Sequence, residues 1–330
     1  MDHVRLGRTG LLVSRLCLGT MTFGLQSDES TAFSIMDTAA EGGIDFFDTA
    51  DVYPLGSEIE LKGRTEEIVG KWLKGRRENF VLATKCVGQM GPNPWDQGAS
   101  RKHIMSAVED SLRRLQTDYI DLYQLHSDDR ETPLDETLQA LDDLVRQGKV
   151  RYVGCSNFLA YRMARAIGRS EALGLVRFDS VQPRYNLLFR QIERELLPLA
   201  LEEGVGVIPY NPIAGGLLSG KHDRKAPPPE GSRFTLGNAA ANYQNRYWHE
   251  REFDTVEQLS ALAGEADLEL VTLAVAWVLA QPAVTAPIIG ASRPDQLGAS
   301  LAAADVTLDA DLLAKLDEAT RDYRLGDAAR

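Results

Sequence analysis

The stretch that decides the fold is IDLYQLHSDDRETPLDETLQALDDLVRQGKVRYVGCS, residues 120–156. It begins with a short apolar run at residues 120–126 and ends with a second one at residues 151–156. Between them, apolar side chains recur at helical spacing over residues 135–146, with Asp135 at the start and Gly148 just after the last turn. Two strands joined by a crossover helix form a βαβ unit, so the stretch predicts a parallel pair of strands.

The same alternation continues through nearly the whole chain. Short apolar runs predict strands at residues 16–19, 45–48, 80–85, 120–126, 151–156, 180–182, 206–210 and 287–290. Helical patterns occur between them at residues 29–41, 65–74, 101–115, 135–146, 159–172 and 192–202, and at 251–263 and 272–281 before the last strand. These βα units, with no break in composition, favour an α/β fold: one (β/α)8 TIM barrel domain over residues 1–330. Two doubly wound domains are disfavoured, because no G-x-G-x-x-G follows an early strand.

A β-hairpin is predicted before the first barrel strand. Residues 4–6 and 11–14 are short strand-like runs, and GRTG at residues 7–10 has the glycines of a tight turn between them. We expect this hairpin to close the bottom of the barrel.

Composition limits the classes of partner. The 330 residues carry a formal net charge of −12, which disfavours a nucleic-acid partner but leaves room for a local basic pocket. There is no signal-peptide pattern and no apolar run of membrane-spanning length, so we expect a soluble cytoplasmic protein without a membrane partner. Cys17, Cys86 and Cys155 lie in apolar segments and are expected to be reduced core residues rather than metal ligands.

Titratable residues close three consecutive predicted strands. Asp48, Lys85 and His126 stand at the carboxyl ends, where barrel enzymes hold their active sites, and Tyr53 follows Asp48 by five positions. A phenol has an ordinary pKa of about 10 and needs help to donate its proton near neutral pH. A neighbouring ammonium, itself held by a carboxylate, would provide that help, and His126 would be a second donor to a reacting oxygen.

These residues sit in segments that resemble the aldo-keto reductase family. The matching segments are GGIDFFDTADVY at 42–53, DYIDLY at 118–123 and GKVRYVGCSN at 148–157, and the resemblance extends over essentially the whole chain. The family's Asp, Tyr, Lys and His tetrad corresponds to Asp48, Tyr53, Lys85 and His126. The resemblance implies NADPH-dependent reduction of an aldehyde or ketone, or the reverse oxidation, with Tyr53 as the general acid and without a metal.

The resemblance also implies the cofactor contacts. Ser156, Asn157 and Gln182 match the residues that hold the nicotinamide carboxamide, and Tyr210 matches the aromatic residue that stacks on the ring. Further contacts are implied at strand ends and in the loops that follow: Gly19, Thr20, Met21, Asp48, Asn211, Pro212, Ile213, Ala214 and Gly290.

A phosphate-binding loop is predicted after the seventh barrel strand. IAGGLLSGKH, residues 213–222, has the glycine and lysine spacing of a nucleotide-hydrolase P-loop, but a histidine replaces the Ser or Thr that would bind Mg²⁺. We expect it to hold the pyrophosphate of NADP(H) through Gly216, Leu217, Ser219 and Lys221, with Arg233 closing over it.

The loop after the eighth strand matches the family's adenosine-phosphate segment. Ser292 and Arg293 would meet the 2′-phosphate of NADP, with Gln296 nearby. The family often has Asn at the position of Ser300, so adenine contacts are expected to be weaker, and NAD(H) remains possible beside the preferred NADP(H).

Two other functions remain open at this point. VRLGRTG at 4–10 and RKHI at 101–104 also resemble reductases of nucleotide-activated deoxysugars. In another class, the sequence resembles the NADP-binding β subunits of potassium channels, which keep the tetrad and sense redox state. The carbonyl substrate and the choice between monomer and homo-oligomer are not decided by the sequence.

Overall fold

Eight parallel strands form a closed barrel in the computed structural model, which describes residues 1–325. The first seven barrel strands pair in sequence order, and the eighth pairs with the first. The barrel strands are β3 (Cys17–Gly19), β4 (Phe46–Asp48), β5 (Val81–Cys86), β6 (Ile120–Leu125), β7 (Val150–Ser156), β8 (Ser180–Gln182), β9 (Gly206–Val207) and β10 (Ile288–Ile289). Bridges Val207–Val284 and Tyr210–Ile288 close the gap between β9 and β10. The predicted (β/α)8 fold is confirmed.

Helices surround this barrel. They are α1 (Glu29–Glu41), α2 (Arg64–Leu73), α3 (Arg101–Leu115), α4 (Leu134–Arg146), α5 (Ala160–Leu173), α6 (Leu196–Glu203), α7 (Ala240–Tyr247), α8 (Glu250–Glu265), α9 (Leu270–Leu279), α10 (Gly298–Ala302) and α11 (Ala310–Thr320). Among residues 1–325, no helix is long and apolar enough to cross a membrane.

The predicted N-terminal hairpin lies across the bottom of the barrel. It consists of β1 (His3–Arg5) and β2 (Leu12–Ser14), paired antiparallel. The Arg8 amide donates to the Gly204 carbonyl at 2.7 Å, which ties the hairpin turn to the loop before β9. Leu6 from the same turn is fully buried in the barrel interior, so burial of apolar surface favours this closure. The interior cluster consists of Leu6, Val13, Cys17, Phe46, Ala83, Leu122, Ile208, Ala286 and Ile288.

Several predicted boundaries shift by a few residues. Helix α4 begins at Leu134, after Pro133, so Asp135 lies in its first turn rather than at its start. Helix α6 begins at Leu196, later than predicted, because a 3₁₀ turn at Gln191–Arg194 precedes it. Helices α7, α10 and α11 have no counterpart in the prediction. All three cysteines are buried and free.

Candidate active site at the mouth of the barrel

The candidate proton-transfer residues lie at the carboxyl ends of three neighbouring strands. Asp48 is the last residue of β4, Lys85 is the last but one of β5, and His126 follows β6 directly. The His126 amide donates to the Cys86 carbonyl at 3.0 Å, which continues the parallel pairing to the rim. The strand order therefore brings residues from distant parts of the chain into one site.

A buried polar network surrounds the Asp48 carboxylate. The Lys85 ammonium donates to Asp48 Oδ1 and, at 2.8 Å, to the Thr49 carbonyl. Gln124 Nε2 and Gln182 Nε2 donate to Asp48 Oδ2 at 3.0 and 2.8 Å. Since both carboxylate oxygens are bonded, this buried charge is compensated and held in one position.

Gln124 was missed by the sequence analysis. It is the last residue but one of β6, between the apolar side chains of Tyr123 and Leu125, so the pattern marks it only as a core position. In the structure it is fully buried and donates a hydrogen bond to Asp48. Its register partner on β5 is Lys85. A lone glutamine inside a buried strand is the signal that could have found it, because buried amides need partners.

Tyr53 and His126 face each other above this network. Their ring centroids are 5.7 Å apart in an edge-to-face arrangement, and the Lys85 ammonium lies 5.1 Å from the centre of the Tyr53 ring. All three side chains are buried or half-buried, with Lys85 fully buried behind Tyr53. The two rings and the ammonium thus form one compact group, with Tyr53 and His126 on the cavity wall.

The protonation states of this group follow from burial and charge. Burial raises the pKa of Tyr53 above its ordinary value, although the Lys85 charge pulls it down, so burial outweighs the ammonium. Burial alone would lower the pKa of Lys85, but the Asp48 carboxylate and Tyr53 outweigh it and raise that pKa. Burial and the Lys85 charge lower the pKa of His126 to about 3. Near neutral pH, the site therefore holds a neutral phenol, an ammonium and a neutral imidazole.

A second buried carboxyl lies behind the site and was also missed. Asp51 is fully buried, and neither of its carboxyl oxygens has a hydrogen-bond partner among residues 1–325. Nearby, the Glu66 carboxylate accepts from Thr84 Oγ1 at 2.6 Å and from Arg114 Nε at 2.7 Å. Burial, and then the Glu66 charge, raise the pKa of Asp51 well above its usual range. This environment favours the protonated form of Asp51, next to the Glu66–Arg114 pair.

The residues predicted to hold the nicotinamide lie together on one side of the cavity. Tyr210 donates its hydroxyl to Asn157 Oδ1 at 2.8 Å, and Asn157 Nδ2 donates to the His126 carbonyl at 2.9 Å. Ser156 Oγ donates to the Gln182 carbonyl at 2.7 Å. The Oε1 atom of Gln182 accepts no hydrogen bond from residues 1–325, and the Asn157 Oδ1 atom has a second lone pair. These two acceptors fit the amide of a nicotinamide carboxamide.

The predicted phosphate loop presents cations to the same cavity. Gly215 and Gly216 have φ angles of 69° and 103°, a backbone that side chains rarely adopt, and this bend turns the loop at the cavity wall. Lys221 and Arg233 line the cavity and form no ion pair with residues 1–325, while Arg233 donates a long hydrogen bond of 3.4 Å to Gln26. Cations held without carboxylates fit a bound anion such as a pyrophosphate.

Three residues predicted in this loop do not line the cavity. Ala214 and Leu217 are buried beneath the loop, and Ser219 Oγ donates back to the Gly216 carbonyl at 2.7 Å. That hydrogen bond stabilises the turn, so the Ser219 hydroxyl belongs to the loop's own structure. Conversely, His222 lines the cavity with a buried Nδ1 that has no partner in the described chain.

Three of the four residues predicted to contact the adenosine end of the cofactor line the cavity. Ser292, Gln296 and Ser300 line the cavity, and Gln296 Oε1 accepts from the Ser292 amide at 2.9 Å. Arg293 lies outside the lining, is exposed and is paired with Asp295, with Nε to Oδ1 at 3.3 Å. A cofactor 2′-phosphate would have to draw Arg293 away from this exposed carboxylate.

One cavity of about 350 Å³ connects these parts. The predicted residues that line it are Gly19, Thr20, Met21, Asp48, Tyr53, His126, Ser156, Asn157, Gln182, Tyr210, Asn211, Pro212, Ile213, Gly216, Lys221, Arg233, Gly290, Ser292, Gln296 and Ser300. Within residues 1–325, there is no cluster of His, Cys, Asp or Glu side chains with the grouping of a metal site.

Comparison with known proteins decides the family. Residues 15–321 match the Aldo/keto reductase family. The chain belongs to the aldo/keto reductase family. This oxidoreductase is therefore a member of the group that the sequence motifs indicated, and members of the family typically use NAD(P)H and act on small carbonyl compounds.

Similar aldo/keto reductases differ in their described roles. The chain is 42% identical to the uncharacterized oxidoreductase YrpG of Bacillus subtilis (strain 168), over 96% of this chain and 95% of YrpG. It is 37% identical to a probable voltage-gated potassium channel subunit beta of Arabidopsis thaliana, over 93% and 92% of the two chains. It is 33% identical to the versiconal hemiacetal acetate reductase of Aspergillus parasiticus, over 96% of each chain.

Proposed function

We propose that the protein reduces an aldehyde or ketone with NADPH, with Tyr53 as the proton donor. The observation that carries this proposal is the buried group at the barrel mouth, where a neutral phenol and a neutral imidazole flank one cavity in front of a compensated Lys85–Asp48 pair. NADPH, when bound, supplies the hydride.

Tyr53 gives its proton to the carbonyl oxygen as charge develops there. Because burial raises the pKa of Tyr53, the phenol is protonated at neutral pH, and the Lys85 ammonium stabilises the phenolate that remains. His126 is neutral and half-buried, so it donates a hydrogen bond to the same oxygen without adding a charge. Asp48 keeps Lys85 charged and in place.

The nucleotide is held along the cavity wall. Gln182 and Asn157 offer acceptors to the carboxamide, Tyr210 provides the stacking surface, and Lys221 with Arg233 neutralises the pyrophosphate. The preference for NADPH over NADH rests on Arg293 and is modest, because Asp295 competes with a 2′-phosphate for the guanidinium.

A second candidate function is a redox-sensing regulatory subunit. This candidate is supported by the 37% identity to a probable voltage-gated potassium channel subunit beta, over nearly the whole of both chains. Such a subunit would bind NADP tightly and release it slowly, whereas a carbonyl reductase completes many turnovers.

The experiment that decides is a carbonyl panel followed at the nicotinamide absorbance with NADPH and with NADH in excess over protein. We expect repeated turnover on at least one aldehyde class and a preference for NADPH. Oxidation that stops after one equivalent of cofactor would favour the regulatory function. Failure to bind either nucleotide would contradict both.

A further inference from the structure

A second cavity opens beside Tyr210, next to the candidate active site. It encloses about 290 Å³ and shares Asn157, Tyr210 and Arg246 with the main cavity. Tyr210 and Asn157 are joined by a hydrogen bond of 2.8 Å, so they form a common wall rather than a loose boundary. The two cavities are therefore neighbours across this wall, and Arg246 lines both of them.

The lining of the second cavity is cationic, although the chain as a whole is acidic. Arg194 and Arg246 line it against the single described carboxylate of Glu195. The formal net charge of the chain is −12, so even this local excess of one positive charge runs against the overall charge. Arg184 also lines the cavity, and its guanidinium lies 3.5 Å from the centre of the Phe189 ring. A cleft with an excess of positive charge attracts anions.

Arg246 is the arginine that both cavities share. It is half-buried on α7 and forms no ion pair with residues 1–325. Arg190, by contrast, pairs with Glu193 and Asp317. A partly buried guanidinium without a carboxylate is ready to receive one from a ligand.

Helix α7 is tied to its neighbours by hydrogen bonds, so the backbone that carries Arg246 is held in position. Tyr247, the next residue, is fully buried, and its hydroxyl accepts from Asn186 Nδ2 at 3.0 Å. Gln244 Nε2 donates to the Phe234 carbonyl at 2.6 Å. One turn before Arg246, Asn242 lines the main cavity as well. A preorganised receptor of this kind loses little entropy when it binds a ligand.

We propose that Arg246 binds an oxyanion, a carboxylate or a phosphate, on the carbonyl substrate, and that the second cavity receives that end of the molecule. The inference rests on the proposed reductase function. It assigns Arg246 to the substrate rather than to the cofactor, because the phosphate loop already presents Lys221 and Arg233 to the pyrophosphate. The substrate class is thus an aldehyde or ketone with a negatively charged group.

The test compares matched substrates on wild type and Arg246→Gln. 4-Carboxybenzaldehyde and 4-formylphenyl phosphate carry the two oxyanions, and methyl 4-formylbenzoate is the neutral match of the first. We expect Arg246→Gln to lower kcat/KM for the anionic aldehydes by about tenfold or more, mainly through KM, and to leave the ester unchanged. The ratio of the wild-type kcat/KM values for these two anionic aldehydes shows whether the site prefers a carboxylate or a phosphate.

Two controls keep the result specific. Arg113→Gln removes an exposed arginine that is paired with Asp110 on α3, away from both cavities. This variant should leave kcat/KM unchanged for the anionic aldehydes and for the ester. The NADPH dissociation constant of Arg246→Gln should equal that of wild type. The inference would be overturned if Arg246→Gln kept the wild-type ratio of kcat/KM for the acid to kcat/KM for the ester, or if its NADPH dissociation constant rose tenfold. Either result would leave the reductase function standing. No turnover of any carbonyl by wild type would instead refute the proposed function.

Discussion

The proposed catalytic group and the proposed nucleotide cleft are built in opposite ways, although they line one cavity. Around Asp48, both carboxylate oxygens are bonded by Lys85, Gln124 and Gln182, and the charges balance within the protein. Along the cleft, Lys221 and Arg233 have no carboxylate partners in the described chain. The first region is complete before a ligand arrives, whereas the second is completed by one. Variants in the first should change stability and rate, and variants in the second should change binding.

Breaking the buried ion pair should produce the largest effect on stability. Lys85→Met would leave the Asp48 carboxylate buried without its cation, and we expect the free energy of unfolding to fall by about 3–5 kcal/mol. Urea unfolding measures it. Lys71→Met, which removes an exposed pair with Glu29, should cost about 0–1 kcal/mol. Equal midpoints for the two variants would show that the network around Asp48 is not strongly coupled.

Removing a cation from the nucleotide cleft should weaken binding and leave the fold intact. Lys221→Ala should raise the NADPH dissociation constant by roughly 10- to 100-fold, the value of a charge-assisted hydrogen bond. The rate of hydride transfer at saturating NADPH should stay near that of wild type. Lys225→Ala, an exposed lysine four residues along the chain, is the matched control. A slower rate at saturation with an unchanged dissociation constant would contradict this assignment of the loop.

Asp51 differs from the Asp48 group behind which it lies, because its buried carboxyl has no hydrogen-bond partner among residues 1–325. Its pKa is raised in the folded protein, so the folded state holds a proton that the unfolded chain loses, and this cost grows as the pH rises above the unfolded pKa of about 3.9. Asp51→Asn should therefore stabilise the protein at pH 7 relative to wild type, with a Tm higher by on the order of 2 °C, and less so near pH 4.

Thermal unfolding at several pH values checks the Asp51 prediction. Asp118→Asn, at an exposed position, should show no pH-dependent gain. A gain that grows toward low pH would mean that Asp51 is ionised in the folded protein.

Sequence patterns predicted the barrel because each strand is a separate apolar run, and a helical pattern follows every strand but the last. Residues such as Asp48 could be found by the same reasoning, since they end those runs. The supporting residues could not: Gln124 is recognised only once the register pairs it with Lys85, and Asp51 only once its burial is known.

Of the helices that were not predicted, one could have been found from the sequence and another could not. Helix α11 has a readable start, because Asp309 accepts from the Leu312 amide at 2.7 Å, and this cap could have predicted it. Helix α7 has no such cap and a largely polar sequence, and it is held by tertiary contacts such as Asn186 to Tyr247. Arg246, which α7 carries, was therefore not a candidate from sequence.

The most direct test of the central claim is one measurement on Tyr53→Phe: the rate of a single turnover at saturating NADPH, together with the NADPH dissociation constant. We predict a rate at least about 100-fold below that of wild type, since a general acid is lost, and an unchanged dissociation constant. An undiminished single-turnover rate would contradict it.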